Sequence, residues 1–174
     1  MDVKKIGRIP DGGGWRAHGR QMGSTGASNH PKIGYDYVHS VVDDHSRLAF
    51  ATIHPDETAA SASRFLSELV GFYATHGIQV ERVMTDNGSC FKRAWADAAA
   101  ARGITVKKTR PYRPQTNGKA ERFIRTLLER WAYAYSYDNE NERLTALTPA
   151  LDSYNRFRPH RALAGLTPLQ RVNN

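Results

Sequence analysis

The chain holds one cysteine in 174 residues, Cys90. That excludes an internal disulfide and a cysteine-based zinc motif, and it makes a reducing, cytoplasmic compartment the expectation. Long apolar runs are also missing, since no stretch approaches the roughly 20 residues that cross a bilayer. The N-terminal region is polar and glycine-rich within a dozen residues, which is not the pattern of a secretory signal. Acidic residues are scarce: 17 stand against 25 lysines and arginines, leaving a net charge of +8. Such an excess suits a polyanionic partner, most simply nucleic acid. Hydrophobic content of 40% and charged content of 24% are ordinary for a globular fold, and the length suits one compact domain over residues 1–174.

The positive charge is concentrated. Residues 107–131 carry eight basic side chains (Lys107, Lys108, Arg110, Arg113, Lys119, Arg122, Arg125, Arg130) against two acidic ones, Glu121 and Glu129. A solvated face would account for such a cluster equally well unless something inside it calls for phosphate.

Periodicity gives the order of elements. "MDVKKI" reads as a strand, and residues 7–34, with eight of the 14 glycines, read as a long loop or extended hairpin. "YDYVHSVVDD" (35–44) and "RLAFATIH" (47–54) are rich in β-branched and aromatic residues and predict an antiparallel hairpin. Thr58 opens a helix that closes at His76-Gly77, with Phe65, Leu66, Leu69, Val70 and Phe72 on its apolar face. A strand at 80–85, a helix at 91–103 and a strand at 104–109 follow. One helix is expected from Thr116–Asn117 to about Tyr135 and a last one over 142–157, before a proline-punctuated tail with one short helical turn. Three meandering strands followed by alternating strands and helices imply an α/β fold, a mixed five-stranded sheet flanked by helices.

Three carboxylates fall at suggestive places in that order. Asp86 sits at the tip of a buried strand in "RVMTDNGSCF". Asp-Asn-Gly is good turn chemistry, since Asn and Gly tolerate a positive φ and Asp caps the turn, and that alone would explain it. Glu121 lies one turn into a helix, where the dipole and Arg125 four residues on would explain it equally well. Asp2 is in the first strand. In a mixed sheet of this order the strands of Asp2 and Asp86 can lie side by side, with the Glu121 helix against the same edge. Three carboxylates meeting there would repel one another unless a cation neutralised them. Oxygen ligands suit Mg²⁺ or Mn²⁺, and two such ions together serve phosphodiester chemistry. Asp43, Asp44 and Arg47 are assigned to the hairpin turn, with Asp43 and Asp44 the nearest rivals to Asp2 as metal ligands, and His45 and His160 to structural or DNA-facing roles ahead of metal ligation.

Together, "DVK" (2–4), "VDDHSR" (42–47), "TDNGSCF" (85–91), "RPYRPQTNGKAERFIRTL" (110–127), "YNRFRPHRAL" (154–163) and "LTP" (166–168) resemble the integrase-like DDE transposases of bacterial insertion sequences. These are relatives of retroviral integrases in the RNase H-like superfamily. The resemblance implies an RNase H-like fold with Asp2, Asp86 and Glu121 as the catalytic triad, holding two Mg²⁺ or Mn²⁺ ions. It implies metal-dependent nicking that leaves a DNA 3′-OH, then attack of that hydroxyl on target DNA. DNA contacts are expected from Lys108, Arg110, Arg113, Gln115, Asn117, Lys119, Arg122 and Arg125, with Arg156, Arg158 and Arg161 as a second phosphate-binding patch or a helix cap. Relatives act as homodimers or higher multimers, in the bacterial cytoplasm at the nucleoid. Full-length relatives carry helix-turn-helix domains ahead of this core, and these are expected to be absent here, with the first strand shortened upstream of Asp2. Two alternatives stay open: a non-catalytic DNA-binding or dimerising fragment, and an RNase H-like nuclease for RNA–DNA hybrids.

Overall fold

The computed structural model describes residues 1–19, 33–109 and 117–174. Strands β1 (Asp2–Gly7), β2 (Tyr35–Val42) and β3 (Ala49–His54) form an antiparallel meander. Asp2 lies opposite Ser40, and Val42 opposite Ala49. A short helix, α1 (Trp15–His18), interrupts the glycine-rich segment; residues 20–32 lie outside the described residues. Asp43 accepts from the Ser46 N–H and hydroxyl, both at 2.7 Å, and so closes the β2–β3 turn. Its role there is the structural one expected. Arg47 takes a positive φ of 64° to complete the reversal.

Helix α2 (Ala59–Ala74) begins at Thr58, whose hydroxyl accepts from the Ser61 N–H. It closes at Gly77, in the left-handed region at φ +69°, where Ile78 N–H returns to the Tyr73 carbonyl. Strands β4 (Arg82–Thr85) and β5 (Thr105–Lys108) pair in parallel, joined through a turn of 3₁₀ helix at Ser89–Phe91 and helix α3 (Arg93–Ala100). The five expected strands are all present, but they hydrogen-bond as two sheets, an antiparallel trio and a parallel pair, in place of one continuous sheet. They meet where the Met1 amine donates to the Met84 carbonyl at 2.8 Å.

Helix α4 (Gly118–Leu127) runs into a π-helical turn at Leu128–Ala132. The expected last helix divides into α5 (Glu140–Thr145) and α6 (Leu147–Phe157). Pro149 explains the break: it has no N–H to donate to the preceding turn, which only the first turn of a helix tolerates. The tail is more ordered than its prolines suggest. A 3₁₀ turn at Arg161–Leu163 leads to α7 (Pro168–Val172), fixed by a reciprocal capping box between Thr167 and Gln170.

Helices pack on both sides of the strands. On one side Phe65, Leu66 and Leu69 of α2 pack with Trp95 and Ala99 of α3 over Val41, Leu48 and Val83. On the other, Phe123 and Leu127 of α4, Trp131, and Leu151 and Tyr154 of α6 cover Ile6, Val38, Ala49 and Ala51. Asn155 pins α6 to β3. Its Oδ1 accepts from Ala49 N–H at 2.9 Å and its Nδ2 donates to Ala49 O at 2.8 Å. Asn155→Leu strands both backbone groups in the interior and is expected to cost about 2–5 kcal/mol of unfolding free energy in urea titration.

A buried histidine adds a pH dependence. His39 is fully buried against the His54 and Phe65 rings, with Nε2 3.1 Å from the Asp56 carbonyl oxygen. A carbonyl only accepts, so Nε2 carries the proton. Burial lowers the His39 pKa from 6.5 to about 4. The unfolded chain therefore binds this proton first. The associated stability is present above pH 6.5 and is lost as pH falls towards 4. Urea unfolding at the two ends of that window is expected to differ by up to about 3 kcal/mol from this group, and His39→Gln should remove that part of the slope.

Candidate active site

The three candidate carboxylates come from three different elements. Asp2 opens β1 and is half-buried, with Oδ1 accepting from its neighbour Val3 N–H at 2.9 Å. Asp86 follows directly on β4, and its Oδ1 accepts from Gly88 N–H at 2.9 Å. Glu121 lies exposed in the first turn of α4, a helix that packs on β1 and β2. The hydrogen bond from Met1 to Met84 brings the start of β1 to the strand that carries Asp86. Among the described residues, no three His, Cys, Asp or Glu side chains form a group ready to hold a metal ion.

Asp2 nevertheless feels the charge of the other two. Burial raises the Asp2 pKa, and the negative charges of Asp86 and Glu121 push it further the same way. Asp86 reaches other neighbours too. Cys90 is buried beside it, and desolvation together with that charge drives the thiol up to about 11, which keeps it protonated and unreactive at neutral pH. Next to the site, the end of β2 and the edge of β4 face each other across a cleft of about 580 Å³, lined among others by Met1, Val42, Asp43, Met84, Asn117 and Lys119.

The turn after Asp86 works differently from the sequence expectation. Gly88 has φ −54°, so a positive dihedral is not what calls for glycine. A Cβ there would stand 2.9 Å from Asp86 Oδ1 and would displace the carboxylate from its place beside the Gly88 N–H, so glycine suits the close approach of backbone and carboxylate. Asn87 uses its side chain to reach Thr109 O at 3.3 Å, linking the ends of β4 and β5.

The candidate DNA contacts divide. Lys108 is exposed at the end of β5, and Arg122 and Arg125 are exposed on α4 beside Glu121. Asn117 is buried at the start of that helix. Lys119 donates to Asp44 Oδ1, and this contact lowers the Asp44 pKa. Neither partner predicted the other in sequence, since they stand 75 positions apart. Arg110, Arg113 and Gln115 lie outside the described residues. In the tail, Arg156 pairs with Asp152 one turn earlier, and the His160 ring packs on Tyr154 at 5.3 Å.

Comparison with known proteins bears on this arrangement. The model of the integrase core domain family matches residues 1–114, and a second integrase core domain model matches residues 102–168. The chain belongs to the integrase core domain family. The Gag-Pol polyprotein of bovine immunodeficiency virus is 34% identical over 130 residues, which is 74% of this chain and 8% of that protein. The Escherichia coli putative transposase InsD of insertion element IS2E is 34% identical over 89 residues, 49% of this chain and 39% of that one. The crystal structure of the bovine immunodeficiency virus integrase catalytic core domain aligns with TM-score 0.61 at 27% identity, covering 84% of this chain and 90% of that chain. The fold is thus that of integrase catalytic cores, with an RNase H-like architecture as expected. The chain spans less than half the length of the curated relatives it matches. No helix among the described residues is long and apolar enough to cross a membrane.

Proposed function

We propose that this integrase core is a DDE-type polynucleotidyl transferase, nicking DNA to leave a 3′-OH and joining that end to target DNA, with Asp2, Asp86 and Glu121 as the catalytic triad. The observation that carries the reading is the position of Asp2 within the fields of both Asp86 and Glu121, three acids from three separate elements. The donor chemistry fits a hard divalent cation, because all three groups offer carboxylate oxygen and their mutual repulsion favours a positive charge between them. Asp2, Asp86 and Glu121 would hold two Mg²⁺ or Mn²⁺ ions, which when bound activate the attacking oxygen and stabilise the leaving one.

The protein's own part is positioning. The Gly88 N–H holds one oxygen of Asp86, so its carboxylate is oriented before any ligand arrives. Arg122 and Arg125, exposed beside Glu121, would bind phosphates flanking the scissile bond and fix the strand in line for attack. Lys119 would exchange Asp44 for a phosphate when DNA binds. Lys108, exposed at the end of β5, would extend this DNA-facing surface, and we assign Arg110, Arg113 and Gln115 to DNA contact on the motif alone, whereas Asn117, buried at the start of α4, stands outside that surface. The working form is a homodimer or higher multimer, because two DNA ends have to be handled together.

The test is a labelled duplex incubated with the chain in Mg²⁺ or Mn²⁺ and resolved on a denaturing gel. Nicked and joined products that vanish in chelator are expected. The lack of a ready three-ligand group among the described residues favours a second reading, a DNA-binding module without catalysis. Duplex binding with no product in either metal would select that reading over the first.

A further inference from the structure

Among the described residues, the two most exposed large apolar side chains, Tyr135 at 70% and Phe157 at 73%, line the same groove, of about 560 Å³. This groove lies between the end of α4 and α6, away from the three carboxylates. Two cations, Arg130 and Arg158, line it with them, against a single acid, Glu129. The Arg158 guanidinium rests 5.9 Å over the ring of Tyr154 in the groove wall, which holds it there while leaving its charge available. Thr126 and Arg130 both line the groove, and Arg122 stands four residues before Thr126 on the same helix. A row of side chains therefore leads from the neighbour of Glu121 into the groove.

Exposed aromatic faces beside cations are what a nucleic acid strand with unstacked bases requires. Each base has a π-face to lay on a ring, whatever its sequence, and each phosphate needs a positive charge. A duplex keeps its base faces stacked and cannot use the rings. We propose that this groove is a binding site for single-stranded DNA, with Tyr135 and Phe157 stacking on bases and Arg130 and Arg158 holding phosphates. It rests on the DNA reading above and adds to it a place for a strand unpaired near the site.

The experiment is fluorescence anisotropy with a labelled oligothymidylate and, separately, a labelled duplex, on the full chain at several salt concentrations. The pair Tyr135→Ala/Phe157→Ala is expected to weaken single-strand binding by about tenfold or more and leave duplex binding unchanged, because only the rings are lost. Tyr135→Phe/Phe157→Tyr should retain wild-type affinity. Arg130→Ala/Arg158→Ala should flatten the salt dependence of single-strand binding by a log–log slope of about 1.4, the value for two phosphates. These side chains are exposed or at the groove rim, and unchanged melting temperatures check that the fold survives. An unaltered single-strand affinity in the alanine aromatic pair overturns the proposal. So does a wild type that binds duplex alone, a result that leaves the strand-transfer reading standing. Conversion of a dimer to a monomer by the aromatic pair, without loss of single-strand affinity, also overturns it, because the rings then serve a second copy.

Discussion

Asp86→Asn and Glu121→Gln each lower DNA joining by at least about a hundredfold without unfolding the chain. Both replacements keep the shape of the side chain and remove its charge. In Asp86→Asn the amide oxygen can still accept from Gly88 N–H, so the turn after β4 survives. What disappears is one of the negative charges that bear on Asp2. The Asp2 carboxyl is then expected to titrate lower than in the wild type, since only its burial and the remaining acid still raise it. Metal-free stability should hold or rise, because like charges at one place oppose folding. Three readouts check this: joining on a labelled duplex, urea unfolding in chelator, and NMR titration of Asp2. Undiminished joining would remove the two residues from the chemistry. Loss of joining accompanied by unfolding would assign them a structural role instead.

Arg143→Met is the most destabilising single change expected away from the site. Arg143 is 2% exposed in its side chain, donates to both Glu140 oxygens at 2.7 and 2.8 Å, and reaches the Gly7 carbonyl at 2.9 Å. Glu140 in turn accepts from Ile9 N–H at 2.7 Å. The pair therefore anchors the end of β1 to α5, while the Trp131 indole donates to the Arg143 carbonyl at 2.6 Å. Removing the guanidinium leaves Glu140, partly buried beside Asp36, without the cation it binds directly, and burial already pushes that carboxyl upward. Urea unfolding should show a loss of about 3–5 kcal/mol. Adding Glu140→Gln should recover part of it, since the orphaned charge is gone. A loss below about 1 kcal/mol would place the pair with ordinary surface bridges.

Much of the architecture is legible in the sequence where a local signal has a physical cause. The β-branched and aromatic residues of β2 and β3, the Thr58 cap and the Gly77 stop all favour their own geometry, and these elements stand where they were expected. The division between α5 and α6 was also written in Pro149, and the order of the tail in the Thr167–Gln170 spacing, although a run of helix-compatible residues masked the first and prolines the second. Other features had no local signature. A Glu and an Arg three residues apart on a helix read as a solvated pair, and nothing near Glu140 or Arg143 announces that β1 will end beside them. The Lys119–Asp44 contact has the same character, because it depends on how α4 meets the β2–β3 turn.

The candidate site shows the same division. Motifs single out Asp86, Glu121 and Asp2, and the turn chemistry behind Asp86 is visible in "TDNG". That chemistry misidentified the reason for Gly88, whose backbone has to pass close to the carboxylate. How the elements carrying the three acids meet is a property of tertiary packing: β1 meets β4 at Met84, and α4 lies on β1 and β2.

A manganese soak of crystals, read by anomalous scattering, probes the acid trio most directly. Density is predicted between Asp2, Asp86 and Glu121 in the wild type, and its loss in Asp86→Asn. Manganese absent from all three side chains, or bound to one of them with the other two turned away, would contradict the account.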